Sequence, residues 1–302
     1  MCCDDIGLYL SFFNLWHIID YSTVMKPTNE QTATFENHKG QLIFYRNWKS
    51  QGQPRGILTI VHGLNSHSGY YNDFAYQLNE NGFEVFALDL VGRGYSEGER
   101  YYIPDFYEVI SDIDTLVSIA ASKYPQLPVF LLGHSAGGVF SAAYAVEHQH
   151  KLQGLIIESF AFRIPAPAPA LATIKFLARI IPHVRLVRLN NEDFSRNAAH
   201  VFRLNNDPLL ENEKQPAKTM QQLLLASEYL KKHMSLITLP LLILHGTADK
   251  ATLPSGSEYF EKHVSSADRQ LKLYEGHYHD LLNDKYNGLI LRDILHWLTQ
   301  AI

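Results

Sequence analysis

Cysteine is almost missing from this chain: among 302 residues there are two, Cys2 and Cys3, side by side near the start. Neighbouring thiols cannot staple distant segments or complete a four-ligand metal site. A disulfide framework and a cysteine-built metal centre are therefore excluded, and a reducing, cytoplasmic compartment is expected. Basic runs are missing as well. The 26 Lys and Arg are outnumbered by 31 Asp and Glu, for a net charge of -5, and no basic-aromatic array interrupts the acidic balance. That argues against nucleic acid as a partner. Apolar runs long enough to cross a bilayer, about 20 residues, are not found either. The run 6–19 (IGLYLSFFNLWHII) is too short, is broken by Asn14 and His17, and follows Asp4 and Asp5 rather than the basic residues of a secretory signal. Residues 1–25 thus read as a surface-docking helix, a lipid-anchored tail through Cys2 or Cys3, or an upstream extension ahead of a natural start at Met25. The last reading is favoured, because the sequence from Met25 onward has a full set of elements without it.

What is present is apolar material, 46% of the residues, enough to fill a large core. The pattern is rhythmic. Two β-prone runs at 33–36 and 41–46, joined by Asn37-His38-Lys39-Gly40, read as an opening hairpin. A near-continuous apolar run follows at 56–61, as expected of a strand buried on both faces, and further strands are read at 84–89, 128–132, 152–157, 239–244 and 270–274. Helical patterns separate them at 72–81, from Asp105 to Pro125, after Gly137, at 254–263 and at 290–298. Asp105-Phe106-Tyr107-Glu108 matches a capping box at the head of the second helix. Alternation of this kind predicts an α/β fold, a mostly parallel central sheet flanked by helices.

The rhythm breaks at Phe162. Ile164-Pro165-Ala166-Pro167-Ala168-Pro169-Ala170 can be neither regular helix nor central strand. Residues 162–235 are expected to form a helical cap inserted between the first part of the core, 26–161, and the second, 236–302. Between 159 and 191 the charged residues are Arg163, Lys175, Arg179, Arg185 and Arg188, without an acid among them. Over 171–181, Lys175 and Arg179 fall on one helical face and Leu171, Ile174, Leu177, Ala178 and Ile181 on the other. Such a segment suits both a roof over an acyl pocket and peripheral contact with a membrane surface.

The chemistry gathers at strand ends. Gly133-His134-Ser135-Ala136-Gly137 joins the strand ending at Leu132 to a small-residue helix, the setting in which G-x-S-x-G becomes a nucleophile elbow. A serine hydroxyl needs a base and a group to orient that base. Asp249 and His279 both follow predicted strands, in the order Ser, Asp, His that the elbow architecture uses. His277 competes with His279, but His279 lies deeper in the loop, directly before Asp280-Leu281-Leu282; His277 is expected to be a surface-loop residue. Backbone N–H groups of Ala136 and Leu64, the latter in His62-Gly63-Leu64-Asn65 after the strand 56–61, are the candidate oxyanion donors. His62 reads as a structural histidine, Asp249 also as a turn-forming residue, His148 and His150 as helix-end surface residues, and Glu97 and Glu99 as loop acids.

These stretches, with Asp89-Leu90-Val91-Gly92-Arg93-Gly94-Tyr95-Ser96 and Tyr274-Glu275-Gly276-His277-Tyr278-His279, resemble the monoacylglycerol lipase and lysophospholipase branch of the α/β-hydrolases over about residues 30–300. The resemblance implies an α/β-hydrolase fold with Ser135, Asp249 and His279 as the triad, Leu64 and Ala136 as the oxyanion hole, no cofactor and no metal. It also implies a single-chain lipid ester as substrate, cleaved through an acyl-enzyme; a short-acyl carboxylesterase or thioesterase with the same machinery is the alternative, and a non-catalytic ligand-binding relative a third. Three positions depart from the branch's usual pattern. Asn65 stands for a second glycine, Ser66 for a glutamate and Arg93 for a histidine; the triad survives these changes, and what they weaken is the implied recognition of a free glycerol head group.

Overall fold

The computed structural model describes residues 29–302, so the expectations for 1–25 lie outside the described residues. The chain opens with the hairpin β1 (Glu30–Glu36) and β2 (Leu42–Trp48), then β3 (Gly56–Val61), α1 (Asn72–Glu80), β4 (Phe83–Leu88) and α2 (Phe106–Lys123). β5 (Val129–His134) leads through Ser135 into α3 (Ala136–His148), followed by β6 (Gly154–Glu158). Next come α4 (Ala168–Ile180), β7 (Arg185–Val187), α5 (Ala198–Asn206), β8 (Gln215–Pro216) and α6 (Ala217–His233). The chain closes with β9 (Leu241–Gly246), α7 (Pro254–His263), β10 (Arg269–Tyr274) and α8 (Gly288–Gln300).

Eight strands form one sheet in the order β1-β2-β4-β3-β5-β6-β9-β10. β2 runs antiparallel to β1 and β4; every pairing from β4 to β10 is parallel. Successive strand residues face opposite sides, so both faces need cover. In β5, Val129 and Leu131 join one cluster with Val139 and Phe140 of α3 and Ile113 and Leu116 of α2. Phe130 and Leu132 join the other, with Leu78 of α1 and Ile294 and Trp297 of α8. Each such side chain taken out of water contributes on the order of 1.5–3 kcal/mol, which is why the apolar runs become central strands.

The segment between β6 and β9 adds no strand to this sheet; β7 and β8 pair only with each other. Its last helix, α6, packs Met220, Leu223, Ala226 and Leu230 into the same cluster as α3. Asp105 caps α2 by accepting from Tyr107 N at 3.0 Å. The reciprocal half of the predicted box is replaced by an ion pair, because Glu108 turns outward to Lys39 at 3.5 Å.

Candidate active site

The turn between β5 and α3 is built by its glycines. A Cβ on Gly137 would sit 2.2 Å from Val61 O and 2.5 Å from His62 O, and one on Gly133 would meet Gly137 O at 2.6 Å. Only glycine lets these backbones touch. Ser135 between them takes φ 55°, ψ -118°, outside the allowed region for ordinary residues. Backbone bonds hold that conformation: Ser135 N donates to Glu158 O at 2.9 Å, and Ala161 N donates to Ser135 O at 3.1 Å. A strained, over-determined serine at a strand end is the kind of outlier that accompanies function.

Asp249 follows β9 and His279 follows β10, and the fold brings them together. His279 Nδ1 lies 2.8 Å from Asp249 Oδ2. A carboxylate only accepts, so Nδ1 carries a proton, and in the neutral ring Nε2 keeps its lone pair. Nε2 is buried and has no hydrogen-bond partner among the described residues. The His279 ring lies 4.9 Å from the ring of His134, the residue beside Ser135. Asp249 is also the turn former read from the sequence. Its Oδ1 accepts from Ala251 N at 2.8 Å and Thr252 N at 2.9 Å, while Oδ2 serves His279, Thr252 Oγ1 at 2.7 Å and His245 Nε2 at 3.1 Å. Burial pushes this carboxyl up, but the His279 charge and the hydrogen bonds from His245 and His279 outweigh it and hold it well below the usual carboxylate range.

The loop after β3 passes directly over the serine. A Cβ on Gly63 would stand 3.0 Å from Ser135 Cβ and 3.5 Å from its Oγ, and the neighbouring Leu64 and Ala136 are both buried. Ala136 opens α3, whose first N–H groups and dipole favour negative charge. His62 is wired into the frame: Leu90 N donates to its Nε2 at 2.9 Å, and its Nδ1 donates to Gly63 O at 2.6 Å. Burial pulls it down to about 3, so it is neutral. Arg93 is fully buried; its Nε donates to Leu64 O at 2.9 Å and its Nη2 to Gln215 Oε1 at 2.6 Å, tying the loop to the segment between β6 and β9.

His277, expected at the surface, is buried at 7% exposure, because the loop folds back so that its carbonyl lies against Gly246 and accepts from Ala248 N. His148 stacks on Tyr144 at the end of α3. Glu97 accepts from Leu42 N, and Glu99 meets His183 at 2.8 Å. Four contributors escaped the sequence reading. His245, fully buried, accepts from Ser257 Oγ through Nδ1 and shares Asp249; its position at the end of β9, four residues before Asp249, was the available signal. Thr252 shares the same carboxylate. Glu158 joins His134 at 2.8 Å and accepts from Leu281 N at 2.7 Å, fastening the His279 loop to β6. Phe194 sets its ring edge-on to His279 at 4.9 Å, a contact across 85 residues that no local pattern carries.

A parallel sheet in this order, with a strained serine after β5 at a glycine-flanked turn, an aspartate after β9 and a histidine after β10, defines an α/β-hydrolase. The family model described as "Serine aminopeptidase, S33" matches residues 52–286. Monoglyceride lipase of Rattus norvegicus is 35% identical over 271 residues, 88% of this chain and 89% of that protein. Monoacylglycerol lipase of Mycolicibacterium smegmatis is 31% identical over 280 residues, 92% and 100% of the two chains. The crystal structure of Paleococcus ferrophilus monoacylglycerol lipase superposes with a TM-score of 0.78 at 30% identity, covering 86% of this chain and 99% of that one. The chain belongs to this hydrolase family, among its monoglyceride lipase relatives, and is an ester hydrolase.

Proposed function

We propose that the protein is a serine hydrolase that cleaves carboxylic esters of lipids with one acyl chain, through Ser135, His279 and Asp249. The observation that carries the reading is the unpartnered, buried Nε2 of His279, backed through Nδ1 by Asp249, in the ring adjoining the residue beside a strained Ser135. Nε2 takes the Ser135 proton as Oγ attacks the ester carbonyl, and the C–O double bond opens to an oxyanion held by the N–H groups of Leu64 and Ala136. The imidazolium, facing the Asp249 charge, then protonates the leaving alkoxide as the ester bond breaks. Water, deprotonated by the same nitrogen, attacks the acyl-enzyme, and the proton returns to Ser135 as the fatty acid departs.

Residues 162–235 act as a cap in this reading. The relatives named for monoglycerides support a lipid acyl group, and the cap's outer surface supports delivery from a membrane. Phe176, Ile180, Ile181, Leu186 and Phe202 are all exposed there, among Arg179, Arg185 and Arg203. Ile181, expected on the inward face, lies just past the end of α4 and is 45% exposed, while Lys175 pairs with Glu228 of α6 rather than facing a bilayer. Among the described residues no helix is long and apolar enough to cross a membrane.

The test is fluorophosphonate labelling of Ser135 together with fatty-acid release from an acyl-chain series on one alcohol. Labelling of wild type but not Ser135→Ala, with the highest kcat/KM at medium or long chains, is expected. A maximum at acetate or butyrate would remove the lipid part, and an unlabelled Ser135 the whole reading.

A further inference from the structure

The carboxylate of Asp249 is oversubscribed. Such a group offers about four lone-pair sites, two on each oxygen. Ala251 N and Thr252 N fill those of Oδ1, at 2.8 and 2.9 Å. Three donor groups crowd the two sites of Oδ2: Thr252 Oγ1 at 2.7 Å, His279 Nδ1 at 2.8 Å and His245 Nε2 at 3.1 Å. His279 therefore shares its acceptor, and the strength of its bond depends on the other two donors.

The second histidine is built to donate. His245 of β9 and Ser257 of α7 are both fully buried. The Ser257 hydroxyl lies 2.7 Å from His245 Nδ1 and donates to it, which fixes the proton on Nε2, the nitrogen turned to Asp249. That Nε2 also stands 3.3 Å from Thr252 Oγ1, so its N–H feeds Oδ2 both directly and through the Thr252 hydroxyl. The side chains of His245 and Asp249 have no exposed surface, so bulk water cannot replace a lost donor.

An oxygen that serves two other donors is a weaker partner for the imidazolium that forms on His279. The hydrogen bond from His245 is among the causes that hold Asp249 low. With either donor removed, Oδ2 turns more fully to His279 Nδ1, the charged ring gains stability, and it stays protonated to higher pH. The other titratable groups around His279 are His134, paired with Glu158 of β6 at 2.8 Å, and Asp280, paired with His200 of α5 at 3.0 Å. The buried Tyr71, just before α1, lies near both Glu158 and Asp280. All of these are kept in the variants below and cancel in the comparison.

We infer that His245 and Thr252 are positioning residues which, by sharing Asp249 Oδ2 with His279, set the pH below which His279 ceases to be a base. The inference rests on the hydrolase reading only for the role of that base toward Ser135.

His279 is read twice, on the full chain. One readout is the second-order rate of Ser135 labelling by a fluorophosphonate against pH, whose acid limb reports the free base. The other is the NMR titration of the His279 imidazole, assigned by its loss in His279→Gln. His245→Leu and Thr252→Val are expected to move both midpoints up by at least about 0.3 pH unit, roughly a twofold gain in proton affinity. His245→Gln, which keeps an N–H toward Oδ2, should stay near wild type. A role in folding alone would slow labelling at every pH and leave the midpoints in place. Unmoved or lowered midpoints, or His245→Gln behaving as His245→Leu does, overturn the inference. Thermal melts accompany the titrations; should His245→Leu not fold, Thr252→Val, which removes a donor at nearly equal volume, decides. A shifted NMR midpoint with Ser135 unlabelled keeps the inference and removes the hydrolase reading; a labelled Ser135 with unmoved midpoints does the reverse.

Discussion

Asp249→Asn swaps one oxygen for an NH2 at the centre of the site, and the structure says which way the new amide turns. With its oxygen kept at the Oδ1 position it retains the bonds from Ala251 N and Thr252 N. Its NH2 then faces His279 Nδ1, which must become an acceptor and move its proton to Nε2, where it cannot take one from Ser135. The opposite orientation keeps the His279 bond but leaves two buried backbone N–H groups facing a donor, at about 1–3 kcal/mol each. A bias of at least about 2 kcal/mol leaves roughly one molecule in 30 with a competent base. Loss of the charge opposite the imidazolium adds about 4 kcal/mol, for unit charges 4 Å apart at an effective dielectric of 20. Together these predict a fall in kcat of about 10⁴-fold, the scale of such substitutions in other triads. The assay is turnover of a chromogenic ester, beside near-UV circular dichroism to confirm the fold. A variant within tenfold of wild type, correctly folded, would refute the tautomer argument and the assignment of His279 as base. The sign of the pH effect follows from the depressed Asp249 carboxyl: its stabilisation is present above about pH 4, the unfolded value, and is lost as pH falls below it. Wild type and Asn variant should therefore differ most in melting temperature near neutrality and converge in acid.

Gly137→Ala drives a methyl to 2.2 Å from Val61 O, a backbone atom that cannot swing away, and should cost about 3 kcal/mol or more together with the loss of esterase activity; a melting temperature within a degree of wild type would contradict it. Burial would pull the His134 imidazole down, but the Glu158 carboxylate at 2.8 Å raises it to about 9, so the pair's contribution, on the order of 3 kcal/mol, is full below pH 6.5 and lost as pH rises through 9. Thermal melts across that window should fall more steeply for wild type than for His134→Gln, and parallel curves would remove the claim. Phe176→Asp with Ile180→Asp should reduce partitioning onto phospholipid vesicles in a sedimentation assay by tenfold or more, since both side chains are about 60% exposed; unchanged partitioning would place the membrane contact elsewhere.

Much of the site was legible because each part of it announces itself locally. Gly133 and Gly137 flank Ser135 at a strand-to-helix junction, and Asp249 and His279 sit where strands end. What stayed hidden were partners fixed by packing. His245 and Thr252 crowd onto one oxygen of Asp249, and His277 and His279, two residues apart in one loop, differ in what they reach: only His279 meets the carboxylate. Glu108 shows the same limit on a small scale, since a capping pattern correct in spacing lost its second bond to Lys39 from the turn between β1 and β2.

The amino-acid order by itself determined the alternation of buried strands and helices, and with it the parallel sheet, because hydrophobic periodicity and glycine placement act over a few residues at a time. It also determined where the turn at Ser135 falls, since only glycine admits the contacts that turn requires. Tertiary structure alone decided how the segment between β6 and β9 lies against the site: Phe194 on His279, Gln215 on Arg93, Asn191 on Asn65. Those contacts join residues 85 to 126 positions apart, and their geometry depends on the path of the chain between them, which no local preference specifies.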